Sequence, residues 1–133
     1  MCFNIQFTSE SSSWGELKIN DRIEGFESSF EYWSKKQYEN SWTEALKAAI
    51  RGEKSALIVW ITNPSKQECL DWWPLYLVKD KIYIQNAVCD LSKYVLDEKN
   101  LYQHVLERDY GDGRRVSEWS TSVASVKKWL ITR

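Results

Sequence analysis

Phe3, Ile5 and Phe7 alternate with Asn4, Gln6 and Thr8, and a period of two marks a strand with one buried face. A Ser-rich stretch at 10–13 reads as a loop. Leu17 and Ile19 alternate again within 15–20, predicting a short second strand that ends at a turn over Asn20 and Asp21. The spacing then changes. Phe26, Phe30 and Trp33 can share one side of a helix over 27–38, with Lys35 and Lys36 pointing outward. A second helix is predicted from Ser41, where Glu44 three residues on completes a capping box. Trp42, Ala45, Leu46, Ala49 and Ile50 follow the i, i+3, i+4, i+7, i+8 stripe, and Gly52 falls where a helix needs a left-handed residue to stop. The apolar run from Ala56 to Ile61, closed by Asn63 and Pro64, predicts a central strand covered on both faces. Residues 72–78 and 82–88 predict an antiparallel hairpin across Lys79, Asp80 and Lys81, in which no glycine eases the turn. Beyond it, 90–95 reads as a short helix capped by Asp90 or Ser92, and 101–108 suits a helix better than a strand. Gly111, Asp112 and Gly113 mark a loop, and 116–119 a short edge strand. A closing helix over 122–131 buries Val123, Val126 and Leu130 and turns Lys127 and Lys128 outward.

Strands with helices between and after them predict the α+β class, with an antiparallel or mixed central sheet and helices packed on its faces. No repeat, linker or low-complexity tract divides the 133 residues, so residues 1–133 are expected to form a single domain. Eight Trp and seven Tyr supply large apolar surfaces from few positions, enough to fill a small core without a disulfide or metal staple. Cys2, Cys69 and Cys89 are odd in number and widely spaced, which predicts neither a disulfide framework nor a zinc site. The expectation is free thiols in a cytoplasmic protein, with no signal peptide, no membrane span and no cofactor. Eighteen Lys and Arg against nineteen Asp and Glu leave a formal charge of −1, with basic residues at most in pairs. No basic stripe for nucleic acid follows from that pattern.

Catalytic readings find little support. His104 is the sole histidine, so a Cys-His or Ser-His dyad has one possible base, and a lone histidine in an amphipathic stretch is ordinarily a surface residue. The cysteines fit small buried apolar positions better than nucleophiles. The Gly111 to Gly113 loop is too short to cradle a phosphate. Carboxylate pairs are numerous, but no spacing selects one. Trp72 and Trp73 are neighbours and point to opposite faces of a strand, while Trp42 and Trp60 are core by position. No catalytic residue and no metal ligand is therefore assigned. The better candidates for recognition are two groups of carboxylates: Glu24, Glu27 and Glu31 at the entry to the first helix, and Glu107, Asp109 and Asp112 around the glycine loop. Such residues are usually just solvated, and their grouping gains meaning only opposite a basic partner.

The stretch FEYWSKKQYENSWTEALKAAIRG from Phe30 to Gly52, followed by SALIVWIT, WWPLYLVKDKIYIQN and RRVSEWSTSV, resembles immunity proteins of bacterial contact-dependent growth inhibition systems. The resemblance runs from about Phe30 to Val126 and rests on aromatic and strand patterns. It implies a cytoplasmic protein, not an enzyme, that binds the C-terminal domain of its cognate toxin in a one-to-one complex and blocks the toxin's active site or substrate surface. Many such toxins are nucleases with basic surfaces, which would give the two carboxylate groups their partner. The alternative is a small aromatic-rich module that binds a carbohydrate or another small ligand. A third reading, an enzyme with paired carboxylates, has no selected pair behind it.

Overall fold

The computed structural model describes residues 2–63, 69–91, 98–108 and 117–133. Three strands come first: β1 (Phe3–Phe7), β2 (Trp14–Ile19) and β3 (Arg22–Glu27) form an antiparallel sheet in that order. The helix α1 (Lys35–Ile50) follows. Then come β4 (Ser55–Trp60), β5 (Cys69–Val78), β6 (Lys81–Gln85), β7 (Ala87–Asp90), a 3-10 turn at Glu98–Asn100, β8 (Glu118–Ser122) and the closing helix α2 (Val123–Ile131). The second sheet runs β4-β5-β6-β8, with β7 also paired to β5, and every pairing is antiparallel. The class is α+β, as the patterning predicts.

Alternation in the register puts Leu57, Trp73, Leu75, Ile84 and Trp119 on one face of the larger sheet. Both α1 and the smaller sheet pack there. Ser55 Oγ donates to the Ala45 carbonyl of α1 (2.8 Å), and Phe26 of β3 meets Trp73 edge to face at 5.7 Å. The rings Phe7, Trp42, Phe26, Trp73 and Trp119 touch in sequence, so the two sheets and α1 share one continuous core. Their polar tips are paired where they enter it. Trp42 Nε1 donates to the Ile58 carbonyl (2.9 Å). Tyr38 Oη donates to the Ser29 carbonyl (2.6 Å) and accepts from Ile61 N–H (3.1 Å). Burial nevertheless raises the Tyr38 phenol above its ordinary value, against those backbone bonds.

Three expectations change. Residues 27–34 are not helical. β3 is an edge strand with one buried residue, Phe26, and no period of two is visible because Ile23 faces outward while Arg22 and Glu24 share the inner side. The helix starts at Lys35. Ser34 Oγ accepts from Gln37 N–H (3.2 Å) and Gln37 Oε1 accepts from Ser34 N–H (2.8 Å), completing the capping box. Ser41 lies inside α1 and donates to the Tyr38 carbonyl (2.7 Å). Second, β4 stands at the end of its sheet instead of the centre, and β5 is the strand shared by three partners. β4 reads as central because all but its last residue are buried, and Trp60, expected in the core, is half-buried. At the bulge between Ile58 and Trp60 its carbonyls accept from Trp42 and from Ser28 Oγ rather than from another strand. Third, 101–108 makes turns, not a helix. Asp90 ends β7, and 92–95, Val116 and the Gly111–Gly113 segment lie outside the described residues. Gly52, at φ +78°, does end α1. Lys79, at φ 58°, takes the left-handed turn position that the sequence gives no glycine.

Candidate partner-binding surface

Among the described residues no group of His, Cys, Asp and Glu is placed to hold a metal, and no helix is long and apolar enough to cross a membrane. Cys89 is buried and Cys2 exposed, and neither forms a disulfide. His104 is half-buried beside the Gln103 amide (2.9 Å). The features with chemical potential are therefore the grooves and the charged or apolar patches.

The first carboxylate group follows β3 and the turn after it. Glu24 stands opposite Leu17 in the register and so lies on the inner side of the edge strand, half-buried and paired with Arg22 (3.2 Å). The Arg22 guanidinium in turn lies over the Trp119 ring at 5.4 Å. Glu27 stands opposite Trp14 on the outer side, exposed, and accepts from Ser13 Oγ (3.4 Å). Glu31 is exposed in the turn, its N–H donating to Ser29 Oγ (3.3 Å). The three are neighbours along one edge but do not line the side of a helix, because that helix does not exist.

Glu107 belongs to the other layer. Tyr76, opposite Tyr83, faces away from the core side of the larger sheet, and its hydroxyl donates to the Leu106 carbonyl (2.8 Å). The neighbouring Arg108 lies 3.7 Å over Tyr83 and makes two bonds to the Glu118 carboxylate (2.8 and 2.7 Å). Gln85 Nε2 donates to the same carboxylate (2.8 Å). This clamp fixes the segment around exposed Glu107 on the face opposite the smaller sheet. Asp109 and Asp112 lie outside the described residues. The structure thus separates Glu107 from Glu24, Glu27 and Glu31.

A groove of about 810 Å³ runs between α1 and residues 99–103, lined among others by Trp33, Glu44, Arg51, Lys99 and Tyr102. Burial pushes the Tyr102 phenol up to about 12, with the Glu44 charge adding to the rise. Charges of both signs line this groove, and no donor set within it suggests a cofactor. Of the eight tryptophans, only Trp14 is exposed and Trp60 half-buried, so the strip of exposed rings that a carbohydrate platform needs is not formed.

The family model described as the CdiI N-terminal domain matches residues 28–129, and the chain belongs to that family. It is 34% identical over 114 residues to "Immunity protein CdiI" of Enterobacter cloacae subsp. cloacae, a match covering 83% of this chain and 79% of the relative. Its fold is similar to a chain of the "CdiA-CT/CdiI toxin and immunity complex from Enterobacter cloacae", at 30% identity and TM-score 0.85, over 98% of this chain and 97% of the other. These relatives are immunity proteins, inhibitors by class, and the chain is not an enzyme. No sequence signal in 1–27 beyond strand periodicity announces Trp14 and Ile23 as exposed, because the alternation that reveals a strand does not say which face stays uncovered.

Proposed function

We propose that the protein is a cytoplasmic immunity protein that binds the C-terminal domain of a CdiA-type toxin one-to-one and neutralises it by covering the active site or substrate surface. The observation that carries this is the fold match over 98% of the chain to a structure titled as a toxin and immunity complex. We take residues 1–133 as one domain and the toxin as a nuclease with a basic surface. Glu24, Glu27 and Glu31 then form the contacting rim, where carboxylates facing Lys and Arg steer encounter and select the partner. Glu107, Asp109 and Asp112 make the second acidic group, and the layer separation of Glu107 from the β3 edge favours the first group as the primary contact.

The test is titration of the protein against the toxin domain encoded beside it, scored by calorimetry and by survival of toxin-expressing cells. Binding with full protection is expected. Charge reversal at Glu27 and Glu31 to Lys slows association, and the loss shrinks as salt rises toward 1 M, where the Debye length is about 3 Å. Reversal at Glu107 has the smaller effect. Failure of the unmodified protein to bind that toxin removes the assignment.

A further inference from the structure

We infer that the outer face of the three-stranded sheet is the docking platform for the toxin domain, with Trp14 and Ile23 as its apolar anchors; this rests on the immunity reading above. Trp14 is 55% and Ile23 57% exposed, and both point away from the core. Between them on β3 stands Gly25, where an added Cβ would meet only the Gly15 carbonyl, at 3.9 Å. Gly25 leaves β3 bare between the two apolar chains, and beside it on the same face of β2 stand Glu16 and Lys18, paired at 3.6 Å. On its far side β3 pairs with no strand among the described residues. Monomeric surfaces seldom carry such chains together without a partner, and Trp is the residue most often found as an interface anchor.

The backbone at the Trp14 end of the platform is hydrogen-bonded before anything binds. The Trp14 carbonyl accepts from Thr8 N–H (2.9 Å) and Thr8 Oγ1 (3.2 Å), and its N–H donates to Ser12 Oγ (3.0 Å). The end of β3 is held by Ser28 N–H to the Ser13 carbonyl (2.8 Å). A held anchor loses little freedom on docking.

Charge complementarity identifies the occupant. Residues 9–31 hold six of the chain's nineteen carboxylates and two of its eighteen cations, although the whole chain is at −1. On the outer face itself Glu16 and Glu27 stand against Lys18, an acidic excess suited to a basic protein surface that offers an apolar pocket. The family match begins at residue 28, where β3 has just ended.

The experiment measures affinity of the adjacent-gene toxin domain for Trp14→Ala, Ile23→Lys and Gly25→Val, each checked for unchanged circular dichroism and melting, with Lys127→Glu on α2 as control. Each platform variant is expected to weaken binding about 30-fold or more, with the control unaffected. Normal binding of the parent and of all three variants overturns the platform and leaves the immunity reading standing. No binding by the parent overturns both. A parent that sediments as two copies, and becomes one copy in Gly25→Val, would assign the face to self-association and overturn the inference. Gly25→Val serves as the second probe should Trp14→Ala unfold, since its added methyls enter open space.

Discussion

The two sheets are covered differently: the larger has neighbours on both faces, while the smaller buries Phe3, Phe7 and Phe26 on one face and leaves Trp14 on the other. In the larger sheet and α1, Trp42 is 1% exposed and its indole N–H is paired. In the smaller sheet Trp14 occupies an equally regular element and stands in solvent. The difference follows from the layers. The larger sheet carries α1 and the small sheet on one face and the clamped 105–108 segment on the other, while the small sheet is covered on its inner face alone. An antiparallel sheet tolerates this readily. A residue's contribution to stability here is set by which side of the pleat it occupies and hardly at all by its type.

The comparison breaks most directly at the two tryptophans. Trp42→Ala is expected to cost about 3–5 kcal/mol, from lost burial and an unpaired Ile58 carbonyl, whereas Trp14→Ala stays within about 0.5 kcal/mol. Urea melts of the two variants check this, and similar midpoints would dissolve the distinction. Gly15→Ala comes next, at about 1–3 kcal/mol. The Phe26 ring lies against Gly15, so a Cβ there meets the ring directly, and the ring is wedged between Trp42 and Trp73. Gly25→Ala, at the position just before Phe26 and on the outer face, serves as its near-neutral counterpart in the same melts. Ser34→Ala should cost about 0.5–2 kcal/mol through the lost cap, and Ser41→Ala less, since its hydroxyl only donates back to a carbonyl within α1. Equal effects would return the cap to Ser41. The smallest effect is confined to alkali. The Tyr102 phenol sits at about 12 against an ordinary 10.0, so its folded pKa is raised. Its stabilisation is complete below about pH 10 and is lost as pH rises toward 12. Ultraviolet titration of the tyrosines with and without Tyr102→Phe checks it, and ionisation of Tyr102 near 10 would show that the residue is more open than its groove suggests.

Much of this architecture is legible from spacing. β1, β2, the β5–β6 hairpin, α2 and the end of α1 at Gly52 follow from periodicity and from one glycine. The start of α1 is ambiguous in principle: Ser34 with Gln37 and Ser41 with Glu44 both satisfy the capping pattern, seven residues apart. Only the packing of Tyr38 decides, since it lies four residues before Trp42 and extends the buried stripe back by a turn. β3 is invisible because its inner side carries Arg22 and Glu24, charges that an edge strand can hold at its margin. The family is readable from 30–126, a stretch inside the core-bearing part of the chain. Proximity in sequence groups the carboxylates in two sets. The fold keeps Glu24, Glu27 and Glu31 along one edge but carries Glu107 to the opposite layer, a separation that depends on the pairing of Tyr76 with Tyr83 and has no local signal.

The ring contacts from Phe7 through Trp42, Phe26 and Trp73 to Trp119 also make the molecule its own optical instrument. Trp73 and Trp119, with centroids 5.5 Å apart and planes inclined at 51°, are close enough for their excited states to mix and give a signed couplet in circular dichroism. That couplet reports the contact that Trp73 of β5 and Trp119 of β8 make across β6, and it vanishes when the core opens. Trp14, in water and apart from these ring contacts, emits at the red edge of the spectrum and moves blue when something covers it. Folding and docking can therefore be followed in one cuvette, without a label, through two different tryptophans.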